Sequence, residues 1–349
     1  MMQNNRTSRT VVVTGGAAGV GRAVAHRFAR AGDRVGVIAR DEPALAETRD
    51  ELLAFGAPAA AYAVADVADA AQVFAAAERL EEALGPPDIW VNDAMETVFS
   101  TVADMSPEEF RRVTEVTYLG FVHGAMAALK SMRPRGRGAI LQVGSALAYR
   151  GVPLQSAYCG AKHAMRGFTD SLRAELMHEG LDIRVAIVDL PAVNTPQFDW
   201  ARAHLGRQPR PMGRPIEPEV AADALYRAAG GAWREYWLGL PTFLTIVGNT
   251  VLPGLLDRYL ARKAVAGQQT AQPLLSSRRD NLDAPVTYLH RVRGGFSAEA
   301  AESAPLIPGE VARIGVVALG ALVFFALGAA TGRRRAVRAS PPRRLKELC

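Results

Sequence analysis

Cysteine is nearly absent: Cys159 and Cys349 are the only two in 349 residues. Two thiols cannot staple a disulfide scaffold, and so low a count fits a reducing compartment. No cysteine–histidine cluster has metal-ligand spacing, so no metal site is expected. The opening residues, MMQNNRTSRT, lack the apolar stretch of a signal peptide, which places the expected catalytic body in the cytoplasm. Charged residues are 22% and hydrophobic residues 49%, which excludes wholesale disorder and suits a packed core. A basic folded body is also missing. The net charge of +6 gathers behind Ala261, where 14 basic residues face 6 acidic ones, leaving 27 against 29 ahead of it. Nucleic-acid enzymes carry their basic face on the folded domain, so no nucleic-acid partner is expected, and the tail charge is either membrane-related or solubilising.

What is present is an alternation of strand-like and helix-like segments over residues 9–240. Val11–Thr14, Arg34–Ala39, Ala59–Val64, Asp88–Asn92, Gly138–Gly144, Ile183–Asp189 and Glu235–Leu238 are short β-branched or apolar runs that predict buried strands. Between them, helical spacing covers Gly19–Ala31, Pro43–Phe55, Ala70–Leu84, a long helix opening at Ser106-Pro107-Glu108-Glu109 and running towards Met132, Gln155–Glu179 and Pro218–Ala229. Such βα alternation predicts an α/β fold, a doubly wound parallel sheet of the Rossmann type, as a single domain with a C-terminal extension. No internal repeat is present.

Thr14-Gly15-Gly16-Ala17-Ala18-Gly19-Val20-Gly21 lies between the first strand and first helix. Glycines let a phosphate approach the main chain, and the helix start offers N–H groups and the positive dipole end. Alone the string is an ordinary turn; at the first crossover it points to a dinucleotide. The second strand ends in Ile38-Ala39-Arg40, where an NAD site usually has an acid for the ribose 2′-hydroxyl. Ala39 is uncharged, and Arg40 can pair with a 2′-phosphate, with Arg22 in support; Arg40 can equally be a solvated surface residue. NADP is therefore the expected cofactor, with NAD possible. Asp66 and Val67, past the third strand, are placed to meet adenine.

Tyr158 and Lys162 stand at i and i+4, on one helix face. A neighbouring ammonium favours the phenolate of a tyrosine whose ordinary pKa is about 10, so the phenol can trade its proton with a carbonyl or alcohol oxygen. Ser145, at the end of the fifth strand, can hold the same oxygen. Singly these residues read as a packing aromatic, a surface charge and a loop cap; in order on the right elements they form a site.

With these motifs in place, the chain from roughly Arg9 to Leu240 resembles the short-chain dehydrogenase/reductase family. The resemblance implies Ser145, Tyr158 and Lys162 as catalytic residues, Lys162 as a ligand of the nicotinamide ribose, and a homo-oligomer formed through the two long helices. It also implies cofactor contacts from Asn92 and Ala94 after the fourth strand, and from Pro191, Val193 and Thr195 after the sixth. Three positions depart from the family. A usual asparagine that organises a water relay to the lysine is Thr117; Asn-Asn-Ala-Gly reads Asn92-Asp93-Ala94-Met95; Pro-Gly reads Pro191-Ala192. These departures keep open a non-catalytic nucleotide-binding or scaffold protein of the same fold. A sugar-nucleotide epimerase is disfavoured, because no C-terminal sugar-nucleotide domain is evident.

Phe198, Trp200, Ala201 and Leu205 suggest an apolar lid over a small apolar carbonyl or alcohol substrate. Residues 241–260 form an expected hydrophobic flap, broken by prolines, and 261–313 an irregular extension. Residues 314–332 form an expected transmembrane helix, about 28 Å long at 1.5 Å per residue against a hydrocarbon core of roughly 30 Å, followed by a basic tail at 333–349. A single span would put the arginines outside, against the positive-inside tendency; a second dip by Trp237–Leu256 or an interfacial helix resolves this.

Overall fold

The computed structural model describes residues 8–338, with side chains through Phe325 except Val323. Residues Met1–Pro308 form one compact unit and Gly309–Cys349 a second.

In the first unit, seven parallel strands and one antiparallel edge strand make the central sheet. They are β1 (Thr10–Thr14), β2 (Arg34–Ala39), β3 (Ala60–Val64), β4 (Ile89–Asn92), β5 (Arg137–Ser145), β6 (Asp182–Leu190), β7 (Glu235–Leu238) and β8 (Leu306–Pro308), in spatial order β8-β7-β6-β5-β4-β1-β2-β3. The order reverses direction between β1 and β4, and the crevice beyond the carboxyl ends of those strands is where an open α/β sheet receives a ligand. Alternation in β1 shows why these runs become strands. Val11 and Val13 enter the core on one face, with Val24, Phe28 and Leu225; Val12 enters the core on the other, with Leu80, Trp90, Met132 and Ile140. Both faces are covered, so the strands read as unbroken apolar runs.

The helices begin where the chemistry of their caps requires. α1 (Gly19–Ala29) follows the glycine turn with no side-chain cap. α2 (Glu42–Ala54) is capped by Asp41, and α3 (Ala70–Leu84) by Asp69. α4 (Pro107–Thr114) opens with a capping box between Ser106 and Glu109. The expected long helix to Met132 is divided: a π-helical segment, Glu115–Leu119, separates α4 from α5 (Gly120–Arg135). α6 (Ser156–His178) carries the Tyr-Lys pair, and α7 (Pro218–Gly230) packs on α1.

Beyond the last parallel strand, the apolar segment folds into α8 (Gly239–Val251) and α9 (Pro253–Gly267). The extension that lacked any period is built into the first unit. β8 pairs antiparallel with β7, Ala301 bridges Ile216, which in turn bridges Val193, and Gln268 donates to the Pro153 carbonyl at 2.9 Å. Its order comes from these distant partners.

The second unit contains one helix, α10 (Gly309–Arg338). Among the described residues no helix is long and apolar enough to cross a membrane, which corrects the expected spanning helix over 314–332. The segment is helical, but its apolar run with described side chains reaches only from Ile314 to Phe325. At 1.5 Å per residue that is about 18 Å, short of a hydrocarbon core. Side chains beyond Phe325, and the basic tail after Arg338, lie outside the described residues.

Candidate active site

One cavity of about 740 Å³ opens at the carboxyl ends of β1, β4, β5 and β6. Of the residues singled out in the sequence, Gly15, Gly19, Val20, Arg40, Asp66, Val67, Ala94, Ser145, Tyr158, Lys162, Pro191, Val193 and Thr195 stand on its wall.

The glycine turn fits a dinucleotide. Gly15 has φ +74°, and a Cβ there would lie 2.8 Å from the Ala94 backbone, so β1 and the chain after β4 meet too closely for any side chain. Thr14 tightens this meeting from behind: its hydroxyl accepts from the Asp93 and Ala94 N–H groups at 3.1 and 3.4 Å. α1 has no acid in its first turn to repel a phosphate.

Tyr158 and Ser145 share a hydrogen bond between their side chains. The Ser145 hydroxyl also accepts from the Leu147 N–H at 3.1 Å, which holds it at the end of β5. Lys162 is buried, with its Nζ donating 2.7 Å to the Val143 carbonyl and standing 4.2 Å above the Phe121 ring and 5.6 Å above that of Tyr158. Burial pushes the Lys162 ammonium down from its ordinary value, while the carboxylates of Asp93 and Asp189 pull it back up. Asp93 is itself pushed up by burial, opposed by Lys162 and by the Gly21 N–H, which donates to it. For Tyr158 the direction is opposite to the lowered pKa expected from its spacing to a lysine. Burial raises the phenol, and only the Ser145 hydrogen bond opposes. Removing water from around a phenolate costs more here than the nearby cation returns.

Five residues expected in the site turn away from the cavity wall. Arg22 is buried along α1, bonded to Glu51 at 2.9 Å and Glu47 at 3.2 Å, so its charge is already spent. Thr117 lies on the π-helical segment, where its hydroxyl donates to the Glu96 carbonyl at 2.8 Å and accepts from the Glu96 N–H at 2.9 Å. Occupied both ways, it clamps one backbone residue and has no hydroxyl left for a water relay. Asn92 serves the sheet: it accepts from Trp90 and donates to Gln142 and to the Phe121 carbonyl. Thr14 and Gly21 shape the turn from behind it, as a Cβ on Gly21 would meet the Gly15 carbonyl at 2.3 Å.

Arg40 does face the cavity, but not as a solvated residue. It pairs with Glu96 at 2.5 Å and donates to the carbonyls of Asn281 and Leu282 at 2.5 and 3.3 Å. Glu96 sits buried between Arg40 and Arg112; burial pushes it up to about 8, against the pull of both guanidiniums. Asp66 is held by Arg112 at 2.6 Å. The sequence reading missed Asp93, Glu96 and Arg112. Glu96 four residues past β4 was its one local signal; the others are named only by the fold. On the opposite side the wall is apolar, with Val152, Met212, Leu244, Leu256, Tyr259 and Leu260 beside Phe198 and Trp200. Phe198 and Ala201 are buried against Phe99, and Leu205 packs on the same cluster.

A family model for the short chain dehydrogenases matches residues 9–205. The chain is 33% identical over 269 residues to the uncharacterized oxidoreductase YxnA of Bacillus subtilis, covering 76% of this chain and 75% of that protein. It is 30% identical over 266 residues to dehydrogenase/reductase SDR family member 7B of Bos taurus, covering 73% and 81%. Among solved structures, an alcohol dehydrogenase from the archaeon Thermococcus sibiricus complexed with 5-hydroxy-NADP matches with a TM-score of 0.56 and 25% identity, over 64% of this chain and 92% of that one. A levodione reductase matches with a TM-score of 0.52 and 31% identity, over 55% and 75%. The chain belongs to the short-chain dehydrogenase family. It is a hydride-transfer oxidoreductase of a family that binds nicotinamide cofactors and acts on small molecules.

Proposed function

We propose that the chain is an NADP(H)-dependent reductase or dehydrogenase acting on the carbonyl or alcohol carbon of an apolar small molecule. The observation that carries this reading is the Ser145–Tyr158 hydrogen bond above a buried Lys162, in a cavity whose other end is the glycine turn and whose outer wall is apolar.

The residues divide the work as follows. The nicotinamide cofactor supplies or accepts the hydride when bound. Ser145 and Tyr158 hydrogen-bond the substrate oxygen, and in reduction the Tyr158 hydroxyl donates its proton to that oxygen. The phenolate that remains is favoured by the Lys162 ammonium, held in place by the Val143 carbonyl. Gly15 and the start of α1 receive the pyrophosphate, and Asp66 and Val67 flank the adenine. Arg40 supports NADP over NAD, because a guanidinium binds a 2′-phosphate and the second strand ends without an acid at Ala39. The solved alcohol dehydrogenase with a 5-hydroxy-NADP agrees with that preference.

Leu244, Leu256 and Tyr259 on the substrate side support an apolar ligand. Exposed Ile314, Val317, Leu322, Phe324 and Phe325 on α10 support attachment to a membrane surface. A panel of carbonyls and alcohols, assayed with NADPH, NADH and their oxidised forms, tests the assignment. The expected result is turnover of apolar carbonyls with a lower KM for NADPH than for NADH. An absence of turnover across the panel contradicts it.

A further inference from the structure

The dinucleotide end of the cavity is not an open cleft. Residues 278–294, far beyond the part of the chain that matches the family, cross it from bank to bank. At one bank Arg278 donates to the carbonyls of Phe198, Asp199 and Ala201 at 3.0, 2.6 and 2.6 Å, and the Asn281 N–H donates to the Trp200 carbonyl at 3.1 Å. In the middle, Arg40 and Arg112 hold the carbonyls of Asn281 and Leu282, and the Leu282 side chain is buried in a cluster against which Tyr158 packs. At the other bank the strap lies on the tips of α1 and α2. The Gly19 N–H donates to the Arg291 carbonyl at 3.1 Å, Arg22 reaches the His290 carbonyl at 3.2 Å, and His290 bonds the Asp41 carboxylate at 2.8 Å. Arg291 returns to Asp199 at 2.6 Å. Gly294 finishes the crossing, its N–H on the Asn194 carbonyl. A Cβ there would lie 2.5 Å from the Thr195 carbonyl, so the strap meets the chain after β6 through bare backbone.

Asn281, Pro285, Val286 and His290 line the same cavity as Gly15, Val20 and Arg40. The strap and the glycine turn therefore face each other across the space that receives the adenosine and pyrophosphate. We propose that the segment 278–294 is the outer wall of the dinucleotide site, so that the cofactor is held in a tunnel and exchanges only when this strap lifts. The inference rests on the nicotinamide-cofactor reading above and adds to it a set of binding residues and a gate. Its hinge points are the ends that bear no cavity-lining side chain. Arg278 and Arg291 pin the strap without standing on the cavity wall, so they set how often it opens and not what the cofactor touches. Arg278 makes three bonds from a charged donor to carbonyls, the stronger kind of hydrogen bond, and their loss shifts an opening equilibrium by about tenfold or more.

The test is NADPH release from the full chain, followed by stopped-flow fluorescence after a chase with excess NADP, in the native protein and in Arg278→Ala and Arg291→Ala. Both variants are expected to release NADPH faster, Arg278→Ala by about tenfold or more, with far-UV circular dichroism unchanged. Should Arg278→Ala fail to fold, Arg291→Ala, which loses one exposed ion pair, still reads the same gate. Limited trypsin digestion supplies a second readout, since Arg278, Arg279, Arg291 and Arg293 offer cleavage sites in the strap. Bound NADPH is expected to slow cleavage there. Release rates unchanged in both folded variants overturn the inference. So does NADPH that speeds cleavage in the strap, the sign of a plug displaced by the cofactor. A chain that binds neither NADPH nor NADH overturns the cofactor reading and this inference together; binding with unaltered exchange overturns the inference alone.

Discussion

Lys162 brings a cation into a place without water, and its behaviour there decides the pH range of the enzyme. Burial lowers its pKa, so the ammonium is lost at a less alkaline pH than in solution, and Asp93 opposes that loss. Above neutrality the Asp93 carboxylate is ionised more fully and holds the proton on the lysine. Carbonyl reduction, which needs the ammonium, should therefore fall on the alkaline limb of the kcat profile. In Asp93→Asn that limb should move to lower pH, by roughly one unit for the loss of a near anion. A limb that stays put or moves to higher pH contradicts the coupling. Thr117 makes the contrasting case of a polar residue with a purely structural task. Thr117→Val strips partners from both the N–H and the carbonyl of buried Glu96, which should lower unfolding free energy by about 1–3 kcal/mol and leave kcat unchanged. Denaturant titration beside steady-state kinetics checks this; intact stability with a collapsed kcat contradicts it. Cys159 is buried, and burial pushes its thiol up to about 11, so it is inert beside the site.

Among the elements, α8 and α9 carry the substrate-side wall, presenting Leu244, Leu256 and Tyr259 to the cavity while Leu240, Val251, Leu252 and Leu255 remain exposed. In Leu244→Ser/Tyr259→Ser, the KM for long apolar carbonyls should rise about tenfold, the scale of one lost apolar side-chain contact, while short carbonyls are unaffected. An equal rise for both contradicts an apolar subsite on these helices. The strands and α6 were legible in the sequence because their signals are local: β1, buried on both faces, has to be a continuous apolar run, and a four-residue interval puts Tyr158 over Lys162. The π-helical segment was not legible, since one widened turn leaves the apolar spacing of α4 and α5 almost unchanged. Nor was the strap, because its order comes from Arg40, Arg112, Asp199 and Asn194, between 79 and 242 positions away for the bonds that hold it. Arg40 illustrates the limit. Its position at the end of β2 was readable, whereas its partners Glu96, Asn281 and Leu282 exist only once the chain has folded.

At the scale of the whole molecule, the first unit closes at Pro308, where β8 completes the sheet edge, and α10 begins a unit of its own. A chain ending at Pro308 should keep its fold and its turnover, and should lose the membrane attachment proposed for α10. Fractionation of membranes from cells making either form reads the second property, and thermal unfolding with steady-state kinetics reads the first. A shortened chain that still sediments with membranes would move the attachment to the exposed face of α8 and α9. The charge distribution follows the same division, with a nearly neutral body and a basic tail.

The central claim is that the Tyr158 hydroxyl carries the proton that accompanies hydride transfer. Tyr158→Phe removes one oxygen from a site whose cofactor end it does not shape, so single-turnover reduction of an accepted carbonyl should disappear while NADPH still binds, as followed by its fluorescence. A phenylalanine variant that turns over at the native rate contradicts the account.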